Sequence, residues 1–176
     1  MKPLRDRAGE GRANPKGIPC LYLSNRKEIA LSEVRPWLGS LISLAQFETT
    51  RELAIVDCST DERPRQRIST QPPFIIISPD EWNKAVWYDI DQAFSKPVTR
   101  DDETPDYVST QVIAELFKSN GFDGLAYQSK FGQGHNLALF DLDAADLINC
   151  GLEEVEEIKF SFQPAANPYF ITKATP

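Results

Sequence analysis

Hydrophobic positions along the chain come in short blocks, and their spacing changes from block to block. Residues 1–17 are polar and turn-rich, ending in Asn14-Pro15 and Gly17. "CLYL" (Cys20–Leu23) is an apolar run of strand length. Ser24 or Asn25 is placed to cap a helix over about residues 26–36, with Ile29, Ala30 and Val34 as its buried stripe. Glu33 lies at the edge of that stripe, a position compatible with a cleft. "LISLAQF" (Leu41–Phe47) and "LAIVDCS" (Leu53–Ser59) read as strands, the second as a continuous apolar run of the kind found in central strands.

The next stretch, "TDERPRQRISTQPP", is a long polar loop. Ser78, Pro79 and Glu81 then form the clearest helix start in the chain: a cap, a proline at the first helical position and a carboxylate three residues after the cap. Trp82, Ala85, Val86 and Ile90 are its expected apolar face. After a loop, "KPVTRDDETPDY", Ser109 is expected to cap a second long helix with Val112, Ile113, Leu116 and Phe117 inward and Gly121 as its stop. "GLAYQSK" and "NLALFDL" read as strands around a turn at Gly132–Gly134, and Ile158–Phe162 as a last strand before an irregular "QPAANPYF". With no internal repeat, the pattern predicts an α+β fold, one domain over residues 1–176 with mixed sheets and flanking helices.

Composition narrows the function. The net charge of −7 disfavours tight binding to nucleic acid, although basic residues cluster mildly at the N-terminus and at Arg63, Arg65 and Arg67. Cys20, Cys58 and Cys150 are far apart, each in or beside an apolar run where cysteine acts as a small buried hydrophobe. With His135 the single histidine and no CxxC, a metal site is not expected. No apolar stretch is long enough to span a bilayer and no signal peptide is evident, so the expectation is a reduced, cytoplasmic protein.

The candidate chemistry is spread along the chain: Arg12 between Gly11 and Ala13, Tyr22 in the first strand, Glu33 on the first helix, and Ser129 and Asn136 on either side of the glycine-containing turn. Singly, each is better explained as surface, turn or half-buried strand residue. Their order is more informative. "GRANPKGIPCLYLS", "ALSEVRP" and "YVSTQVIAELFKSNGFDGLAYQSKFGQGHNLALF" together resemble the RES-domain family, the toxin half of RES–Xre toxin–antitoxin pairs. The family is named for an arginine, a glutamate and a serine, which match Arg12, Glu33 and Ser129 here, and the resemblance runs from about residue 12 to residue 140, with residues 60–107 carrying least of it.

The resemblance implies a fold like that of diphtheria-toxin-like ADP-ribosyltransferases and action on NAD⁺ as substrate, without a metal. It implies an NAD⁺-degrading toxin that cleaves the nicotinamide–ribose bond as a glycohydrolase or phosphorylase. The alternatives are an ADP-ribosyltransferase acting on a protein, and a non-catalytic protein-binding module. On this reading Glu33 opposes the positive charge that develops on the ribose, as in glycoside cleavage. Arg12 holds the pyrophosphate, Tyr22 stacks on nicotinamide, and Ser129 hydrogen-bonds ribose or amide, with Asn136 beside it. The implied partner is an Xre-type antitoxin that carries the DNA-binding half of a hetero-oligomer, with a toxin homodimer as a further assembly; the chain itself is expected to contact neither nucleic acid nor membrane.

Overall fold

The computed structural model describes residues 2–60, 78–96 and 105–162. The polar loop from Thr60 to Pro73, apart from Thr60 itself, the cluster Arg63, Arg65 and Arg67, and the irregular tail from Gln163 lie outside the described residues. In chain order the elements are β1 (Leu21–Ser24), α1 (Lys27–Glu33), β2 (Leu41–Thr49), β3 (Ile55–Asp57), α2 (Pro79–Ser95), α3 (Pro105–Ser119), β4 (Gly124–Gln128), β5 (His135–Leu139) and β6 (Ala145–Glu154). A four-stranded sheet runs β1-β5-β4-β3, antiparallel except for the parallel β3–β4 pair, and β2 and β6 form a separate antiparallel ribbon. The fold is α+β with mixed sheets and three α-helices among the described residues.

Period-two alternation divides the four-stranded sheet into two faces. Leu125, Tyr127 and Ala138 point to one side, where Cys20, Phe94 of α2 and Ala114 of α3 complete a core. Leu21 and Leu139 point to the other, where Leu142, Ala144 and Ala145 join them and Phe47 of the ribbon packs alongside. This arrangement corrects the placement of the "LAIVDCS" run. Its strand is shorter, Ile55–Asp57, and sits at the edge of the sheet among the described residues. Val56 feeds one core and Ile55 the other, so the unbroken apolar run records two covered faces and not two paired edges.

The helix ends also differ from expectation. α1 stops at Glu33, and its first residues are not capped by a side chain. Asn25 instead accepts the His135 N–H at 3.0 Å, and Val34, beyond the helix, is exposed. α2 starts as expected: Ser78 Oγ accepts the Glu81 N–H at 3.3 Å. Its inner face is Ala85, Tyr88, Asp91 and Phe94, while Trp82 is exposed. α3 begins at Pro105, four residues before the expected cap, and Val112 and Leu116 face outward while Ala114 is buried. Gly121 ends it with a left-handed φ of 85°, donating its N–H to the Lys118 carbonyl. Ile158–Phe162 is not a strand; β6 precedes it, paired from end to end with β2 except at a bulge beside Gln46 and Phe47. Cys20 and Cys58 are buried, but Cys150 on the ribbon is exposed. Among the described residues no helix is long and apolar enough to cross a membrane.

Candidate active site

Register builds the site. Ser24 of β1 pairs with Asn136 of β5, and Asn136 pairs with Tyr127 of β4, so the three lie in one row across the sheet on one face. Asn136 is buried, and both ends of its amide are used. Its Oδ1 accepts the Ser24 hydroxyl at 2.5 Å, and its Nδ2 donates to Glu33 Oε1 at 2.6 Å. The Tyr127 hydroxyl also hydrogen-bonds Asn136. Ser129, just beyond β4 and buried, donates from Oγ to the same Glu33 oxygen at 3.4 Å and accepts the Phe131 N–H at 3.1 Å. Glu33, at the C-terminal end of α1, is itself exposed, so its carboxylate is held from below and open above.

α1 approaches closely enough to do this because the β4–β5 turn carries glycine at residue 134. A Cβ there would meet Asn25 Oδ1 at 2.5 Å and Ile29 Cδ1 at 2.6 Å. Beside Ser129 lies a cleft of about 490 Å³, lined by Ser59, Gln128, Ser129 and Gly132–His135. That volume falls within the range of small-molecule sites.

Arg12 and Tyr22 belong to a second, linked cluster. Gly11 and Asn14 exchange backbone hydrogen bonds at 2.9 and 3.3 Å, putting Arg12 and Ala13 at the tip of a tight turn. The Tyr22 hydroxyl donates to Asn14 Oδ1 at 2.8 Å and accepts the Ala13 N–H at 2.9 Å, which leaves no room for a Cβ at Gly11. Gln111 of α3 donates to the Gly11 and Asn14 carbonyls at 3.0 and 3.2 Å. The turn therefore presents Arg12 on a fixed base. Its guanidinium donates to the Ala93 carbonyl at 2.9 Å and to the Lys96 carbonyl at the end of α2, and lies over the Tyr107 ring, 5.5 Å from its centroid.

The electrostatics follow this packing. Burial, with the Glu33 charge adding to it, pushes the Tyr127 phenol well above its ordinary value. Enclosure of the Tyr22 hydroxyl by the Asn14 turn does the same there although the ring is exposed, with the Cys20 thiol second. Both stay neutral hydrogen-bonding groups. Among the described residues no three His, Cys, Asp or Glu side chains converge as a metal would require.

Glu33, Ser129 and Asn136 thus meet in one cluster. Arg12 and Tyr22 stand together nearby, with Tyr22 on the same sheet face as Asn136, one inward-facing position further along. Sequence reasoning missed Ser24, Tyr127 and Asn14. Local pattern offers Ser24 or Asn25 as a helix cap and Asn14 as part of a turn; only the strand register shows that Ser24 and Tyr127 flank Asn136.

The site thus consists of a carboxylate clamped by an amide at the end of a sheet, with an arginine turn on a linked cluster. The RES domain family model matches residues 1–162, and the chain belongs to that family. No curated protein and no solved structure matches it.

Proposed function

We propose that the chain is an NAD⁺-degrading toxin of a toxin–antitoxin pair, cleaving the bond between nicotinamide and ribose. The observation that carries this reading is Glu33: an exposed carboxylate with one oxygen fixed by Asn136 Nδ2 at 2.6 Å, beside buried Ser129 and an open cleft. Nicotinamide leaves NAD⁺ as a neutral molecule, taking the electron pair of the glycosidic bond, so departure needs no general acid. What remains is a ribosyl cation. A fixed carboxylate opposes that charge without having to reorganise.

Each residue then has a share. Asn136 and Ser129 keep the Glu33 carboxylate aimed at the ribose. Tyr22 presents a partly exposed ring, its hydroxyl anchored on Asn14, as a surface for nicotinamide. Arg12 takes the pyrophosphate by exchanging the Ala93 and Lys96 carbonyls for phosphate oxygens; charge-assisted bonds to phosphate are stronger than those to neutral carbonyls. The cation is captured by a small acceptor. With water, its oxygen bonds to C1′ and a proton passes to solvent; with phosphate, a phosphate oxygen forms the bond.

The reading includes a diphtheria-toxin-like ADP-ribosyltransferase fold, supported by the two separate sheets and the site at strand ends. It also includes a cytoplasmic setting and an Xre-type antitoxin partner that supplies DNA contact. The test is to incubate the chain with NAD⁺, with and without phosphate, and follow free nicotinamide and the ribosyl product. Nicotinamide release, with ADP-ribose in water or its phosphate ester when phosphate is present, supports the proposal. NAD⁺ left intact under both conditions contradicts it.

A further inference from the structure

Asp91, on the inner face of α2, is fully buried, and none of the roles above uses it. Its Oδ1 accepts the Gln128 N–H at 2.9 Å. Gln128 is the last residue of β4 and immediately precedes Ser129. β3 pairs with β4 only as far as Asp57 and Ala126, and the Cys58 N–H to the Ala126 carbonyl, 2.8 Å, is the next rung. Along a strand, alternate amides point to the same side, so the Gln128 N–H points to where β3 has ended. There Ser59 has turned back onto the Asp57 carboxylate at 2.9 Å. Asp91 supplies the acceptor that the missing strand would have given.

On the opposite edge of β4 the Ser129 N–H donates to the Gly134 carbonyl at 3.1 Å. The strand end that carries Ser129 is therefore held from both sides. Further contacts tie the same turn of α2 to the site. Lys130 Nζ donates to Gln92 Oε1 at 2.9 Å, Phe94 packs on Tyr127 with ring centroids 5.8 Å apart, and Arg12 holds the Ala93 and Lys96 carbonyls.

Stability alone is a poor reason for this carboxylate. Taking a carboxylate out of water is costly even where it finds partners, and an apolar side chain of similar volume often serves as well or better. A carboxylate that takes the strand-end amide on one oxygen and Gln92 Nε2, at 3.5 Å, on the other holds a fixed geometry, and small displacements near a reacting centre can cost a hundredfold in rate. We infer that Asp91 is a positioning residue: through the Gln128 amide it fixes the strand end that presents Ser129 to Glu33. The inference rests on the NAD⁺ reading for its kinetic consequence and on the hydrogen bond alone for its structural one.

The test compares the full-length chain with Asp91→Ala, Asp91→Asn and, as a control for lost stability, Leu142→Ala in the other core. Amide hydrogen exchange at Gln128 and Ser129, and kcat and KM for nicotinamide release, are measured for each. In Asp91→Ala the Gln128 amide exchanges faster by at least about tenfold, and kcat falls by about 10–100-fold while KM stays within about twofold. Asp91→Asn, whose amide oxygen still accepts the Gln128 N–H, recovers most of both. Leu142→Ala lowers Tm with kcat retained.

Unchanged Gln128 exchange in Asp91→Ala overturns the inference. So does an equal kcat loss in Leu142→Ala at matched Tm. If Asp91→Ala does not fold, Asp91→Asn decides: near-wild-type kcat with Gln128 protected supports positioning, and a lost kcat with Gln128 still protected overturns it. Should the wild-type chain release no nicotinamide, the NAD⁺ reading fails, and the exchange measurement still decides whether Asp91 fixes the strand end.

Discussion

At the scale of single residues, the site is organised around Asn136 rather than around the charged groups that flank it. Its amide joins Ser24, Glu33 and Tyr127, and truncation leaves the half-buried Ser24 hydroxyl and the buried Tyr127 hydroxyl without that partner. Losing such a partner costs about 1–3 kcal/mol. Asn136→Ala is expected to lower stability by that amount in chemical denaturation, and to lower NAD⁺ turnover further than stability explains. Turnover equal to wild type at a temperature where the variant is fully folded would remove Asn136 from the site. The cysteines give a separate check on the packing. Cys20 and Cys58 are buried, and burial pushes both thiols up to about 12, with the Asp57 and Asp91 charges adding for Cys58. Cys150 is exposed. An alkylating reagent at neutral pH is therefore expected to label Cys150 in the native chain and to reach Cys20 and Cys58 only after unfolding, which peptide mass mapping reads directly.

At the scale of elements, the sequence was most legible where one local rule acted alone. Ser78-Pro79 marked the start of α2, Gly121 the end of α3, and two apolar runs around a glycine turn gave β4 and β5. It was least legible where tertiary pairing decided. β6 is a polar-looking strand whose length is set by β2 beside it, and Ile55–Asp57 looked central because both its faces are covered. Arg12, Glu33 and Ser129 were singled out by their order along the chain, and the contact of Ser129 with Glu33 needed the fold to show it. The row Ser24–Asn136–Tyr127 and the buried Asp91 could not, since each depends on a register or a helix rotation that local pattern leaves open. One element junction has a pH signature. Asp123, before β4, bonds Arg51 and the Ala54 N–H, and the Arg51 contact chiefly lowers its pKa to about 2. A depressed carboxyl pKa adds stability above the unfolded value near 4, and that contribution is lost as pH falls through about 2. Asp123→Asn is thus expected to flatten the fall of Tm between about pH 4 and pH 2. An unchanged slope would mean that the pair does not form in solution.

At the scale of the whole molecule, a sheet uses one face and its strand ends to bring together a carboxylate, an amide, a hydroxyl and an arginine turn from segments more than a hundred residues apart, from Arg12 to Asn136. α2 links the two halves of that assembly, with Arg12 on its last carbonyls and Asp91 on the strand that leads to Ser129. The antitoxin proposal belongs at this scale as well: a saturated complex is expected to be silent toward NAD⁺, and the isolated acidic chain to bind duplex DNA negligibly at physiological salt. Full turnover in the complex, or tight DNA binding by the chain alone, would refute the corresponding half. Under the proposed function, Glu33 stabilises the ribosyl cation formed from NAD⁺. The most direct measurement is nicotinamide release from NAD⁺ by the wild-type chain and by Glu33→Gln, with Tm recorded for both. Release by wild type and a loss of about 10²–10³-fold in Glu33→Gln at closely similar Tm are expected; release by Glu33→Gln at the wild-type rate would remove Glu33 from that role.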